Sequence, residues 1–144
     1  MRFIDSKIYH ELNTDWNEEL LPLDRSIRSW LDKFGRHGPN SYFLSLLENY
    51  ITTLSAFISD LDILKQEEHY EDEDALIGYI QETMLNGIED LSYFEMVIVD
   101  SGWPIQTYTE VRKIIWFNHS LKNALKKELS AEELEERSIG FLLG

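Results

Sequence analysis

A regular apolar stripe between residues 43 and 64 restricts the fold of this chain more than any other feature. Along its main row, the spacing alternates between four and three residues: Phe43, Leu47, Tyr50, Leu54, Phe57, Leu61 and Leu64. A parallel row beside it repeats every seven residues: Leu44, Ile51 and Ile58. Three apolar positions in every seven make a helix face wide enough for the core of a bundle. The spacing therefore predicts a long central helix over 41–64, which Asn40 or Ser41 can cap.

Helical spacing also precedes this stripe. Apolar residues from Leu20 to Phe34 share one face, and Gly35 and Gly38 follow as a stop signal. Asp15 with Glu18 resembles a cap for a brief turn near Trp16. The segment 3–12 fits either a helix or a strand.

The second half of the chain continues in the same manner. Residues 74–99 keep helical spacing, and the Asn86-Gly87 pair marks a point where one helix can end and another begin. Thr107 with Glu110 forms a capping box that predicts a helix running to Lys127. Ser130 with Glu133 forms a second box, which predicts a last helix to the C-terminus.

These elements define an all-α protein. The chain has 144 residues, of which 43% are hydrophobic, so one ordinary domain with a real core is expected. We find no repeat, linker or domain boundary. The sequence predicts a single helical domain over 1–144, a bundle of five or six helices joined by short loops.

The charge of the chain is concentrated in one segment. Residues 60–100 hold 13 acidic side chains and one basic side chain, a net charge of −12, whereas the other 103 residues together carry −2. A solvated helix face explains part of this excess, but such a face usually mixes both signs. Segregation instead favours a docking surface for a basic partner. A calcium loop is disfavoured, because counting from Glu67 puts Asp72 where an EF-hand needs glycine.

Tryptophan and asparagine side chains outside this segment are further candidates. Trp116 lies on a polar helix face, where packing by a neighbouring helix is favoured over a partner anchor. Trp103, between Gly102 and Pro104, is either a lid on the bundle or a partner anchor. Asn118 falls near the buried stripe and is expected to be a hydrogen-bonded core group that specifies helix packing, not a ligand.

Several function classes are disfavoured. The chain has no Cys, no Glu-x-x-His, no G-x-S-x-G and no P-loop lysine, so we expect no metal, no cofactor and no catalytic site, although an unrecognised site stays open. The net charge of −14 disfavours direct binding of nucleic acid or anionic lipid. Without an export signal or an apolar run of membrane-spanning length, a cytoplasmic location is expected.

The sequence thus favours an inhibitory binding protein that blocks a basic protein, such as a nuclease toxin or another enzyme acting on nucleic acid. In composition alone, the chain resembles small bacterial immunity and inhibitor proteins, which are short, acidic, free of Cys and rich in aromatic residues. A monomer or homodimer is expected, and a DNA-mimicking inhibitor is a variant of the same class. The alternative is a structural or regulatory helical module that self-associates. The predicted partner-binding residues are Glu67, Glu68, Tyr70, Glu71, Asp72, Glu73, Asp74, Tyr79, Glu82, Glu89, Asp90 and Trp103.

Overall fold

The structure is a computed structural model, and it describes residues 1–67 and 69–129 together with Glu133 and Leu143. Five α-helices are present in this part of the chain: α1 (Lys7–Asp15), α2 (Leu21–Phe34), α3 (Ser41–Glu67), α4 (Glu73–Asp100) and α5 (Thr109–Glu128). Short 3₁₀ turns occupy Phe3–Asp5, Gly35–His37 and Ile105–Thr107. The described residues contain no strand, which confirms the all-α prediction.

The first two helices form one continuous segment. A π turn over Trp16–Leu20 joins them, and the Leu21 N–H donates to the Trp16 carbonyl across it. The backbone stays helical on both sides of this turn, so the described residues hold four continuous helical segments. The predicted number of five or six was therefore slightly too high. The segment 3–12, ambiguous in sequence, is a 3₁₀ turn followed by α1.

The predicted central helix is observed as α3, three residues longer at its end. Asn40 caps it, with Oδ1 accepting the Phe43 N–H at 2.9 Å. The stripe is buried from Phe43 to Leu61, whereas Leu64 and the parallel row of Leu44, Ile51 and Ile58 are half-buried. At one end of the core, Trp30 stacks on Phe43 with ring centroids 4.3 Å apart, and Trp103 meets both rings edge-on.

The expected interruption at Asn86-Gly87 is absent, because α4 continues through it without a break. Gly87 is buried where α4 meets α3 and α5. A Cβ at this position would lie 2.8 Å from Leu54 Cδ2 and 3.5 Å from Leu121 Cδ1. The glycine therefore permits close helix packing and does not mark a helix end.

The start of α5 also differs from the prediction. Thr107 belongs to a 3₁₀ turn in which its N–H donates to the Pro104 carbonyl at 2.9 Å. The helix begins at Thr109, and no side chain caps it, so the Thr107–Glu110 capping box does not form. Lys126 and Lys127 lie in the last turn as expected. The helix predicted after Ser130 lies outside the described residues, apart from Glu133 and Leu143.

Candidate functional site

The acidic segment occupies three structural positions: the end of α3, the connection to α4, and α4 itself. Glu67, Glu71, Glu73 and Asp74 are exposed around the connection, and Glu68 lies outside the described residues. Within the described part of the chain, neither Glu73 nor Asp74 forms an ion pair. Their carboxylates are therefore available to a partner. They also interact favourably with the positive N-terminal end of the α4 helix dipole.

Asp72, by contrast, holds the N-terminal turn. Its carboxylate accepts the backbone N–H of Phe3, and that of Ile4 at 3.4 Å. The neighbouring Glu71 N–H donates to the Met1 carbonyl at 3.2 Å. Desolvation alone would raise the pKa of Asp72, but the backbone hydrogen bonds from Phe3, Ile4 and Asp72 itself, together with the charge of Arg2, lower it overall. Asp72 is thus a structural residue as much as a surface charge.

Asp90 is the acceptor of an internal cluster of charged and polar groups. Arg28 Nη2 donates to Asp90 Oδ1 at 2.9 Å, and the buried Tyr50 hydroxyl donates to Oδ2 at 2.8 Å. Arg28 Nε also donates to Asp24 Oδ1 at 2.7 Å. These contacts tie α2, α3 and α4 together, so Asp90 is not free to dock a partner.

The pKa values within this cluster have identifiable causes. Burial raises the pKa of Asp90, and the nearby Asp24 carboxylate adds to it, although bonds from Tyr50 and Arg28 act in the opposite direction. Burial alone would lower the pKa of Arg28, but its bonds to Asp24 and Asp90 raise it overall. The cluster therefore favours the charged form of Arg28 and disfavours the charged form of Asp90.

The predicted aromatic anchors are mostly internal. The Tyr79 hydroxyl donates to Asn13 Oδ1 at 3.0 Å, and burial raises its pKa to about 12. Tyr70 meets the buried Phe3 ring edge-on at 5.5 Å. Trp103 is buried, and its Nε1–H donates to the Gly35 carbonyl at 2.6 Å. Of its two predicted roles, Trp103 has the position of a lid.

A continuous stripe on the outer side of α4 remains exposed. It is spaced at steps of four and three residues, and all its members are exposed: Glu82, Asn86, Glu89, Tyr93, Met96 and Asp100. Val99 extends it. Tyr93, Met96 and Val99 expose 36%, 52% and 50% of their surface. We call Glu82, Glu89, Tyr93, Met96, Val99 and Asp100 the α4 outer face.

This face combines apolar anchors with an acidic surround. Met96 and Val99 were not among the predicted site residues, although their helical spacing from Glu89 was visible in the sequence. The Arg28 guanidinium carbon lies 4.3 Å from the Tyr93 ring centroid, so a cation–π contact holds that ring in place. Glu89 and Asp100 form no ion pair among the described residues.

Two residues of α5 behave differently from each other. Trp116 is 70% exposed, so the expected packing by a neighbouring helix is wrong. Asn118 is buried, and its Nδ2 donates to Ser92 Oγ at 3.1 Å and to Glu95 Oε2 at 3.2 Å. The prediction that Asn118 is a hydrogen-bonded group between packed helices is confirmed.

No family model, curated protein or solved structure matches this chain. Among the described residues, no three His, Asp or Glu side chains are grouped so that they could hold a metal ion. In the same part of the chain, no helix has both the length and the apolar character needed to cross a bilayer.

Proposed function

We propose that this protein is an inhibitory binding module of the immunity or antitoxin type, which blocks a basic, nucleic-acid-acting protein by docking an acidic surface on it. The observation that carries the proposal is the α4 outer face, where the carboxylates of Glu89 and Asp100, which form no ion pair among the described residues, flank the exposed apolar side chains on one side of the helix. Interfaces typically combine a few aromatic or Met anchors with a polar surround. This face has both components.

Charge complementarity supports the type of partner. Proteins that hold phosphates present Lys and Arg on their binding surfaces. A carboxylate array can occupy the same basic surface and accelerate association. Glu73 and Asp74 extend the array toward the start of α4, whereas Asp72, Asp90, Tyr79 and Trp103 contribute to the scaffold beneath it.

Affinity capture from the native cell, with matched variants, tests the proposal. The docking variant changes Glu73→Gln, Asp74→Asn, Glu89→Gln and Asp100→Asn. Its control neutralises four exposed acids outside the segment: Asp15→Asn, Glu18→Gln, Glu19→Gln and Asp32→Asn. We expect the wild type and the control to retain one basic protein and inhibit its activity, and the docking variant to do neither. Equal capture and inhibition by both variants would contradict the role of this face.

Self-association is the second candidate function. It is favoured by exposed aromatic surface on two helices of opposite charge character, with Tyr93 on acidic α4 and Trp116 on α5, which carries five basic and two acidic side chains. Molecular mass in solution at low and high salt separates the two functions. A monomer at both salt concentrations supports the inhibitor, whereas a stable oligomer supports self-association.

A further inference from the structure

A cleft of about 390 Å³ lies between α4, the 3₁₀ turn Ile105–Thr107 and α5. This volume falls within the usual range for small-molecule sites, roughly 300–1,000 Å³. Its walls combine apolar, aromatic and basic side chains, and it is separate from the residues assigned above to partner docking. The cleft is therefore a candidate site in its own right.

The local charge of the cleft is opposite to that of the whole molecule. Arg112, His119 and Lys122 line it, and Glu95 is the acidic side chain among the lining residues. Arg112 is held in place by donating to the Gln106 carbonyl and to Thr109 Oγ1, the latter at 3.2 Å. Within the described residues, the side chains of His119 and Lys122 form neither a hydrogen bond nor an ion pair. An anion in the cleft would supply the missing partners.

An apolar surface accompanies these charges. Trp116 lines the cleft with 70% of its surface exposed, and Ile105 and Ile115 lie beside it half-buried. An indole ring left this open offers a stacking surface for another flat ring.

An unsatisfied acceptor belongs to the same cleft. Asn118 lines it although only 1% of its surface is exposed. Its Nδ2 is fully used by Ser92 and Glu95, but its buried Oδ1 accepts no hydrogen bond. A buried acceptor without a donor costs free energy, which a ligand N–H or O–H would recover.

We propose that this cleft binds a small anion that carries a flat ring and a hydrogen-bond donor, the chemistry shared by nucleoside monophosphates and aromatic carboxylates. The anionic group lies beside His119 and Lys122, which have no side-chain partner among the described residues, the ring packs on Trp116, and the donor reaches Asn118 Oδ1. This site does not depend on the docking function, because it uses a different set of side chains.

Isothermal titration calorimetry on the full chain tests the site with defined probes. Adenosine monophosphate and indole carboxylate represent the two sources of the anion, and adenosine, indole and inorganic phosphate are their incomplete counterparts. We expect saturable one-to-one binding of at least one of the two anions, about tenfold tighter than its neutral or ringless counterparts. The anion that binds identifies the source. Failure of both anions to saturate the protein at millimolar concentration would overturn the proposal.

Variants locate the binding. Lys122→Gln and Trp116→Ala should each weaken the anion about tenfold, because each removes one of the contacts described above. Lys127→Gln and Tyr42→Ala change exposed residues outside the cleft and should leave the affinity unchanged. Circular dichroism confirms that all four variants are folded. Equal affinities in the two cleft variants and the two controls would show that the anion binds elsewhere and would reject the site.

Discussion

The guanidinium of Arg28 on α2 binds the carboxylate of Asp90 on α4, with Nη2 and Oδ1 2.9 Å apart. The two residues are 62 positions apart in the sequence, and Asp90 belongs to the segment with the largest excess of acid. Arg28 also holds the Tyr93 ring, so one cation fixes both an internal carboxylate and an exposed aromatic of the α4 outer face. The docking surface is thus supported from beneath.

Arg28→Met should lower the free energy of unfolding by about 2 kcal/mol. The substitution leaves the carboxylates of Asp24 and Asp90 facing each other without a cation, and their partial exposure keeps the cost below that of a fully buried pair. Urea denaturation measures the effect. Arg25→Met is the matched control, since Arg25 is exposed on the same helix and forms no ion pair among the described residues; it should change stability by less than about 0.5 kcal/mol.

The contributions of Asp90 and Asp72 to the free energy of unfolding should change with pH in opposite directions. The folded pKa of Asp90 is raised, so the folded protein binds its proton more tightly than the unfolded chain does. The free energy of unfolding of the wild type, relative to that of Asp90→Asn, should therefore fall as the pH rises. The fall begins near 3.8, the ordinary pKa of an aspartate, and continues through the raised pKa of folded Asp90. The folded pKa of Asp72 is lowered, so its contribution relative to Asp72→Asn is present above 3.8 and lost as the pH falls through the lowered folded value.

Unfolding free energies measured across this range, for wild type and both variants, check the two signs. Parallel curves for the two variants would contradict the assigned environments of the two carboxylates.

Gly87→Ala should destabilise the protein by about 1 kcal/mol. The new Cβ lies 2.8 Å from Leu54 Cδ2, and Leu54 is fully buried, so overpacking exceeds the helix propensity gained from Ala. Gly78→Ala on the same helix meets no atom within 4 Å and should stabilise by about 0.5–1 kcal/mol. Thermal unfolding of both variants decides the matter, and a stabilised Gly87→Ala would show that Leu54 moves aside at little cost.

Trp103→Phe and Trp116→Phe should differ sharply in stability. The first removes the Nε1–H bond to the Gly35 carbonyl, which then keeps only the longer bond from the Gly38 N–H, and it shortens a buried ring system; it should cost about 1–3 kcal/mol. The second alters a side chain that is 70% exposed and should cost less than about 0.5 kcal/mol. Chemical denaturation compares them, and similar losses would contradict the assigned burial of the two rings.

The association rate with the basic partner should fall as salt rises, whereas the dissociation rate should change less. The fields of the two proteins act over about a Debye length, roughly 10 Å at 0.1 M salt. The four-residue docking variant should reduce both the on-rate and its salt dependence, and the four-residue control should alter them less because its charges lie outside the segment. Stopped-flow or surface-based kinetics at several salt concentrations measure this. If neither salt nor the docking variant changes the association rate, the acidic segment is only a solvated surface and the docking role is contradicted.

The helical architecture was predictable because apolar spacing is a local property of the chain. The stripe from Phe43 to Leu61 became the buried side of α3, and Asn40 became its cap. The role of Gly87 was not predictable in this way, because it depends on Leu54 and Leu121, which come from other helices. The Thr107–Glu110 box failed because the backbone forms a 3₁₀ turn at Thr107 and delays the helix to Thr109.

The candidate site was less predictable for a similar reason. Counting charges along the sequence identifies the acidic segment. It does not distinguish Glu89, which is exposed, from Asp90, whose carboxylate accepts a hydrogen bond from Arg28. Periodicity placed Trp116 on a polar face, yet it could not show whether another helix covers that face. Exposure and pairing are tertiary properties, and they decide which residues of a helix face are available.

The π turn between α1 and α2 has a consequence for how this chain tolerates changes in length. An α-helix turns by about 100° per residue, so the eight positions from Leu12 to Leu20 would bring those two side chains about 80° out of line in a regular helix. The wide turn over Trp16–Leu20 absorbs one extra residue, and both leucines are buried. A chain shorter by one residue between Trp16 and Leu20 would restore a seven-residue step and keep both leucines on the core side. Deletion of one residue should therefore be tolerated better at this turn than anywhere within α3 or α4, where the loss of a single residue rotates the rest of the helix away from the core.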